Sequence, residues 1–538
     1  KRGNEKRDSD VGSVQFLCYS FPNSGIAKTI ICVFYFIAFG YPPQTLRARR
    51  LFIGMNVHCP LPSTHRKATF AQVYSELALH QAVIRAYSKP LFTWRKALGT
   101  SHDGRTLYDF AADSLQNVSR LHKQLAKEQF IYRPGIELKF NANGKERTIY
   151  LYPWEERIVD LMLYRELTKY FHSVYEPSCY AYRLGRYGVD SCQHRVEELV
   201  RRMPRPLYFV KRDVADYFPT INHERLLELL AQWIEPEDYL FKLLHQRIEF
   251  EVLHEEKVVT HRQGIAFGTA IACFFANLYL TPLDRRMRRI NGVKYFRYAD
   301  DLLAFSNNRE SALETAEVMG DTFEELRVTS KPKAHRNFFF PRTAGHTDGA
   351  FEACDRFQHL GLEFRKDGSV GMAREKGRKI RNQFRFAFRR KKKRFHKTQL
   401  PEARAQLATD IARDVVENGF RSVAIIDYYL KHVNDEEQLR QLDQWLAEEV
   451  LAIAFGKGHK KGNFKKLSFS KMRKMGLPSL RHRHRQLIHG QLDSSFFTLR
   501  TDKLIEQKRR RLPPGYGQSR VDRFPPELKA VVLSETAS

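Results

Sequence analysis

Val293-Lys294-Tyr295-Phe296-Arg297-Tyr298-Ala299-Asp300-Asp301-Leu302-Leu303-Ala304-Phe305 reads as strand on both sides of two adjacent acids. Carboxylates are poor strand formers and costly beside apolar neighbours, so an Asp pair at the tip of a tight hairpin calls for a cation. Hard oxygen ligands favour Mg²⁺. A second acid lies upstream, in Leu207-Tyr208-Phe209-Val210-Lys211-Arg212-Asp213-Val214-Ala215-Asp216-Tyr217-Phe218-Pro219-Thr220-Ile221-Asn222. That segment opens as an apolar strand, places Asp213 at its end and breaks into a turn before a helix. Two strands delivering carboxylates suit phosphoryl transfer with two metal ions held roughly 3.5–4 Å apart. Asp213 and Asp300 are the main expected ligands, with Asp301 in support. Asp216, in the turn, points elsewhere.

Between these acids lies Gln263-Gly264-Ile265-Ala266-Phe267-Gly268-Thr269-Ala270-Ile271-Ala272, where glycines suit a tight loop and close backbone approach. Upstream come Gly144-Lys145-Glu146-Arg147-Thr148-Ile149 and Cys179-Tyr180-Ala181-Tyr182-Arg183, and downstream His359-Leu360-Gly361-Leu362-Glu363-Phe364. In this order, from about Arg133 to about Gly371, the segments resemble the fingers motifs, motif A, motif B, the Tyr-x-Asp-Asp motif C and the primer grip of reverse transcriptases. The resemblance implies an α+β right-hand polymerase fold: fingers, a palm with an antiparallel sheet, and a helical thumb. An N-terminal helical extension and a basic C-terminal region flank it.

The resemblance also implies roles. Asp213, Asp300 and Asp301 are the expected catalytic acids, with Val214 joining them in the set that holds two Mg²⁺ ions. Lys145, Arg147, Phe218, Phe267, Gly268 and Tyr298 are the expected contacts to the dNTP. Phe218, fifth after Asp213, stands where an aromatic ring excludes a 2′-hydroxyl. Lys331 and Lys333 stand where the family places a cation for the leaving pyrophosphate. Motif B departs from the common pattern: Ala266-Phe267 replaces a usual Pro-Gln, and Ala272 replaces a usual Ser. An apolar ring cannot supply the hydrogen bonds of Gln, so template use or nucleotide preference is expected to differ.

The 538 residues carry 91 Lys and Arg against 61 Asp and Glu, a net charge of +30, which implies a polyanionic partner. Seven cysteines are scattered without a Cys-x-x-Cys pair, against a zinc module or a disulfide framework. His and Arg alternate in Arg481-His482-Arg483-His484-Arg485, where flanking positive charge would repel a metal.

Residues 1–54 are expected to be a leader dispensable for activity, with Met55 an alternative start. Their apolar run, Thr29 to Phe39, is too short to span a bilayer comfortably. Residues 55–130 form the helical extension, with Phe70, Val73, Tyr74, Leu77 and Leu79 on one apolar face and Phe110, Ala111, Leu115, Val118 and Leu121 on another. Fingers and palm occupy 131–370. In the basic helical thumb, 371–490, Ile380, Phe384, Phe388 and Phe395 recur at near-helical spacing, while Arg381, Arg385, Arg389 and Lys392 are the expected contacts to RNA or an RNA–DNA duplex. Residues 491–538 form a basic C-terminal tail, which from Lys508 onward reads as a mobile arm.

The chain lacks a Cys/His endonuclease pattern, the Asn-Ala-x-x-His signature of retrons and the Ser-Gln of diversity-generating retroelements. It resembles stand-alone prokaryotic reverse transcriptases related to group II intron enzymes, among them defence-associated ones. The expectation is a cytoplasmic RNA-directed DNA polymerase copying an associated structured noncoding RNA in anti-phage defence, with no membrane partner. A homo-oligomer and further defence proteins remain open as partners. The alternatives are an RNA-binding maturase or scaffold, and template-independent or protein-primed synthesis with Tyr516 as the candidate hydroxyl.

Overall fold

The computed structural model describes residues 67–88, 101, 103–142, 145–332, 336–417, 420–456 and 458–492, with Pro513, Tyr516, Pro526, Glu527 and Lys529. The expected leader, 1–54, lies outside them. The described chain begins with helices Phe70–Val73, Glu76–Ser88, Leu107–Ala112 and Ser114–Ala126. Thr106 caps the third by accepting from the Asp109 amide, and the Asp109 carboxylate accepts from the Thr106 amide, so two otherwise unpaired donors are satisfied. Phe110, Ala111, Val118, Leu121 and Leu125 are fully buried, as their helical spacing requires.

Strands β1 (Gly135–Ala142) and β2 (Lys145–Leu151) form a hairpin ahead of the helices Trp154–Tyr170 and Val189–Arg202. Strand β3 (Leu207–Asp213) follows, then β4 (Glu251–His254) and β5 (Lys257–Thr260). After helices Ala272–Tyr279 and Thr281–Arg289 come β6 (Lys294–Tyr298) and β7 (Asp301–Ser306). Helix Arg309–Glu325 leads to β8 (Arg336–Phe340), β9 (Glu352–Ala353), β10 (Arg356–His359), β11 (Leu362–Arg365) and β12 (Val370–Met372). Three sheets result, ordered β2-β1-β4-β5, β6-β7-β3-β8-β9 and β10-β11-β12.

The five-stranded sheet is buried on both faces, which explains why β3 and β7 read as continuous apolar runs instead of alternating ones. On one face Tyr208, Val210, Leu302 and Ala304 join a core shared with the fingers and the N-terminal helices. On the other, Phe209, Leu303, Phe305 and Phe340 join a core shared with β10–β12 and the C-terminal helices. Phe209 sits at the centre of this second layer, with ring centroids of Phe357, Phe340, Phe338 and Phe305 at 4.6, 5.2, 5.6 and 5.8 Å. Among the described residues no helix is long and apolar enough to cross a membrane.

The thumb is built on helices Arg374–Arg390, Pro401–Glu417, Phe420–His432 and Glu436–Phe455, with Ile380, Phe384 and Phe388 buried. The four expected duplex contacts divide by surroundings. Arg381 and Arg385 lie beside that buried stripe and cover Trp445, at 5.7 and 5.4 Å from its ring, with Arg385 Nε also 3.6 Å from Glu449. Arg389 and Lys392 are exposed.

Tyr516 corrects the expectation of a mobile arm at that point. It is fully buried in the first core, and its hydroxyl is hydrogen-bonded to Nδ1 of His80 on helix Glu76–Ser88. A buried hydroxyl is unavailable as a primer. Tyr516→Ala should cost about 3–5 kcal/mol, the usual loss for emptying a buried aromatic site. Urea unfolding followed by tryptophan fluorescence would measure it; an unchanged midpoint would show that the ring does not hold the N-terminal helices.

Candidate active site

Tyr298 and Asp301 are paired across β6 and β7, which leaves Ala299 and Asp300 as a two-residue loop. Ala299 takes φ 57°, a region costing a residue with a Cβ roughly 1–2 kcal/mol. The neighbouring Arg297 holds the loop. Fully buried, it donates from Nε and Nη2 to Asp284 at 2.8 and 2.6 Å, and from Nη1 to Oδ1 of Asn277 at 3.1 Å and the Ala299 carbonyl at 3.5 Å. Its own amide donates to Ser178, and its carbonyl accepts from Tyr180, both at 2.8 Å. One guanidinium thus joins the hairpin to helices Ala272–Tyr279 and Thr281–Arg289.

Asp213 ends β3 directly opposite Asp301, and the Val214 amide donates to the Asp300 carbonyl at 3.2 Å. The Lys331 ammonium lies 2.5 Å from Oδ1 of Asp213 and 3.8 Å from Oδ2 of Asp300. Burial and then the charge of Asp213 push the Asp300 carboxyl up to about 7, against the pull of Lys331. Asp301 behaves differently. Burial pushes its pKa upward, but His359, 3.3 Å away through Nδ1, and Lys211, 3.7 Å away through Nζ, hold it below the ordinary value.

The structure brings Asp213 and Asp300 to one shared lysine, Lys331, while Asp301, opposite Asp213 in the sheet, is held by His359 and Lys211. Among the described residues no three His, Cys, Asp or Glu side chains converge as a metal site. The donors still fit a divalent cation. Two hard carboxylates share one lysine ammonium, and burial together with the Asp213 charge opposes the ionisation of Asp300, which a divalent cation would relieve. The Val214 side chain is fully buried, so only its carbonyl could contribute. Lys331 bridges the two acids. Lys333 lies outside the described residues.

The motif B loop is tied to both neighbours. Gly264 and Ile265 donate to the carbonyls of Ile221 and Phe218 at 2.8 and 3.0 Å, and Tyr150 of β2 donates to that of Phe267 at 3.0 Å. Gly264, at φ 83°, would place a Cβ 2.8 Å from the Pro219 carbonyl, so that approach requires glycine. The rings of Phe218 and Phe267 meet at 4.8 Å, both half-buried, and Gly268 lies against Ile149. Strand alternation puts the exposed Arg147 on the same face of β2 as Ile149, hence toward this loop. Lys145 opens β2, with its side chain outside the described part. Tyr298 is half-buried, and burial, then the nearby cysteines, push its hydroxyl up to about 12.

Sequence reasoning assigned no role to Arg297, Asp284, Lys211 or His359. Lys211 carried a legible signal, lying two residues before Asp213 on the same strand face. His359 and Asp284 carried none, since their contacts span distant parts of the chain.

The frame has the right-hand polymerase fold: fingers, a palm on a largely antiparallel sheet, and a helical thumb. Residues 137–364 match the family described as reverse transcriptase (RNA-dependent DNA polymerase). Residues 137–364 are thereby similar to an RNA-dependent DNA polymerase domain, a nucleotidyltransferase. No curated protein matches the chain. Among solved structures it is similar to apo telomerase from Candida tropicalis truncated from its C-terminal domain, at 12% identity over 48% of this chain and 60% of that one, with a TM-score of 0.36. The apo telomerase of Candida tropicalis gives 12% identity over 79% and 72%, with a TM-score of 0.38. Telomerase from Candida albicans in complex with a fragment of telomeric RNA gives 10% identity over 68% of each chain, with a TM-score of 0.36. The chain spans 60% of the length of the first of these structures.

Arg297→Met should destabilise the palm by about 3–5 kcal/mol, because it strands the buried Asp284 carboxylate. Arg297→Lys should recover only part of that, lacking the planar fork. Chemical denaturation of the three proteins would measure both effects, and equal stability would refute the role given to Arg297.

Proposed function

We propose that the chain makes DNA on an RNA template by nucleotidyl transfer with two Mg²⁺ ions. The observation that carries this reading is the meeting of Asp213 and Asp300 at one end of the palm sheet, with the Phe218 ring, on the helical turn after β3, against the Phe267 ring of the motif B loop. Asp213, Asp300 and the Val214 carbonyl would hold the ions. When bound, they would activate the primer hydroxyl and neutralise charge on the phosphates.

The protein's own residues do the positioning. Phe218 and Phe267 form an apolar wall that a 2′-hydroxyl would have to displace. Arg147 offers a charge to the triphosphate from the finger strand. His359 and Lys211 keep Asp301 ionised and in place beside the pair. Arg389 and Lys392 are available to duplex phosphates.

The finer reading is a cytoplasmic, prokaryotic, stand-alone polymerase that holds and copies a structured noncoding RNA in anti-phage defence. Its support is the motif set with its absent accessory signatures and the net charge of +30. The second reading, an RNA-binding scaffold, draws on that same charge and on the exposed basic helix face. Protein priming loses its tyrosine, since Tyr516 is buried.

Primer extension on an RNA template with Mg²⁺ tests the chemistry. Asp213→Asn and Asp300→Asn should each lower the rate by at least about a hundredfold, as loss of a charge-stabilising group does. Full synthesis by either variant would sink the proposal. In cells, the Asp300→Ala/Asp301→Ala variant should lose protection against phage while still binding RNA; retained protection would favour the scaffold.

Phe218→Val should raise ribonucleotide incorporation relative to deoxynucleotide by roughly tenfold, the scale at which an apolar wall discriminates. Single-nucleotide incorporation with each sugar would measure it. An unchanged ratio would remove Phe218 from sugar selection.

A further inference from the structure

The alternating Arg481-His482-Arg483-His484-Arg485 has no part in the palm or in the helix Arg374–Arg390. On helix Leu480–Ile488 it divides by face. Arg483 and His484 turn inward: Arg483 forks onto Asp427 at 2.5 and 2.8 Å, and His484 pairs with the Leu430 carbonyl at 2.6 Å. Arg481, His482 and Arg485 turn the other way and line a cavity of about 530 Å³.

Phe464 and Phe469 supply aromatic surface to the same cavity, and Arg440 and Arg473 supply two more guanidiniums. Phe469 is 37% exposed, with the Arg473 guanidinium 4.8 Å from its ring centroid. An exposed ring beside cations is a ready stacking platform, since every base offers a π-face.

Three carboxylates oppose the four guanidiniums. Asp443 is buried and committed to its own neighbourhood, binding Arg473 at 3.1 Å, the Ser479 hydroxyl at 2.5 Å and the Leu480 amide at 2.6 Å. Glu436 pairs with Arg481 and Arg485, and Glu437 with Arg440, but these pairs are solvent-exposed. Exposed ion pairs contribute little, so their guanidiniums can exchange a carboxylate for a phosphate, which binds the fork more strongly. The volume lies within the range of small-molecule sites.

We propose that this thumb cavity is a second nucleotide-binding site, outside the palm. A base stacks on Phe469, and its phosphate is held by Arg481 and Arg485. The chemistry is shared by two sources, a nucleotide within single-stranded RNA and a free nucleoside triphosphate. The site is independent of the polymerase reading.

The test uses the full chain carrying Asp300→Asn, in EDTA, so that the palm site is silent. Two probes are titrated by fluorescence: a labelled oligouridylate and N-methylanthraniloyl-ATP. Arg481→Ala/Arg485→Ala and Phe469→Leu should each weaken at least one probe by about tenfold, the scale of losing one base stack or its phosphate contact. Arg481→Lys/Arg485→Lys should restore part of the loss.

Loss confined to the oligouridylate assigns the site to a strand; loss of the ATP analogue as well assigns it to free nucleotide. Unchanged affinity for both probes overturns the proposal. Thermal midpoints confirm folding, and should the double alanine variant unfold, Phe469→Leu, which keeps an apolar side chain, decides. Primer extension by the unsubstituted chain is scored separately, so its failure would leave the cavity result standing.

Discussion

The buried fork between Arg297 and Asp284 is the contact on which the catalytic geometry depends. Withdrawing two charges from water is costly, and the cost is offset here by a fully occupied guanidinium that reaches Asp284, Asn277 and the Ala299 carbonyl. The same residue fixes the turn that presents Asp300, so a structural ion pair determines where a functional acid stands. Ala299 can keep an unfavourable φ because neighbours on two helices leave the loop no alternative.

The palm sheet separates two cores while belonging to both. Residues alternate along β3 between a face shared with fingers and N-terminal helices and a phenylalanine-rich face continuous with the thumb. Asp301 illustrates what this does at the site. Its carboxylate is held by His359 of β10, a strand packed on the thumb side, whereas Asp300 meets Asp213 at the turn. Adjacent acids therefore report to different halves of the molecule.

The parts legible in sequence were those written locally. β3, β6 and β7 followed from apolar runs ended by acids, the N-terminal helices from apolar spacing, and the motif B turn from its glycines. Contacts closed by distant chain segments were not legible. Lys331 between two acids, His359 against Asp301 and the Arg297–Asp284 fork require the sheet register before they exist. Arg381 and Arg385 show the limit of helical periodicity: it identified a basic stripe, but not that two of its members lie beside Trp445 of another helix. Arg481 to Arg485 shows the converse, a run uninformative as letters until the helix sorts it into inward and outward faces.

Tyr516 couples the ends of the described chain in a way that bears on biosynthesis. Its partner His80 is translated 436 positions earlier, so the first core lacks one of its buried aromatics while the fingers, palm and thumb are being made. A ribosome-bound nascent chain can assemble the palm acids before that ring arrives. The N-terminal helices then reach their final packing only after Tyr516 has emerged, so the first core closes after the palm.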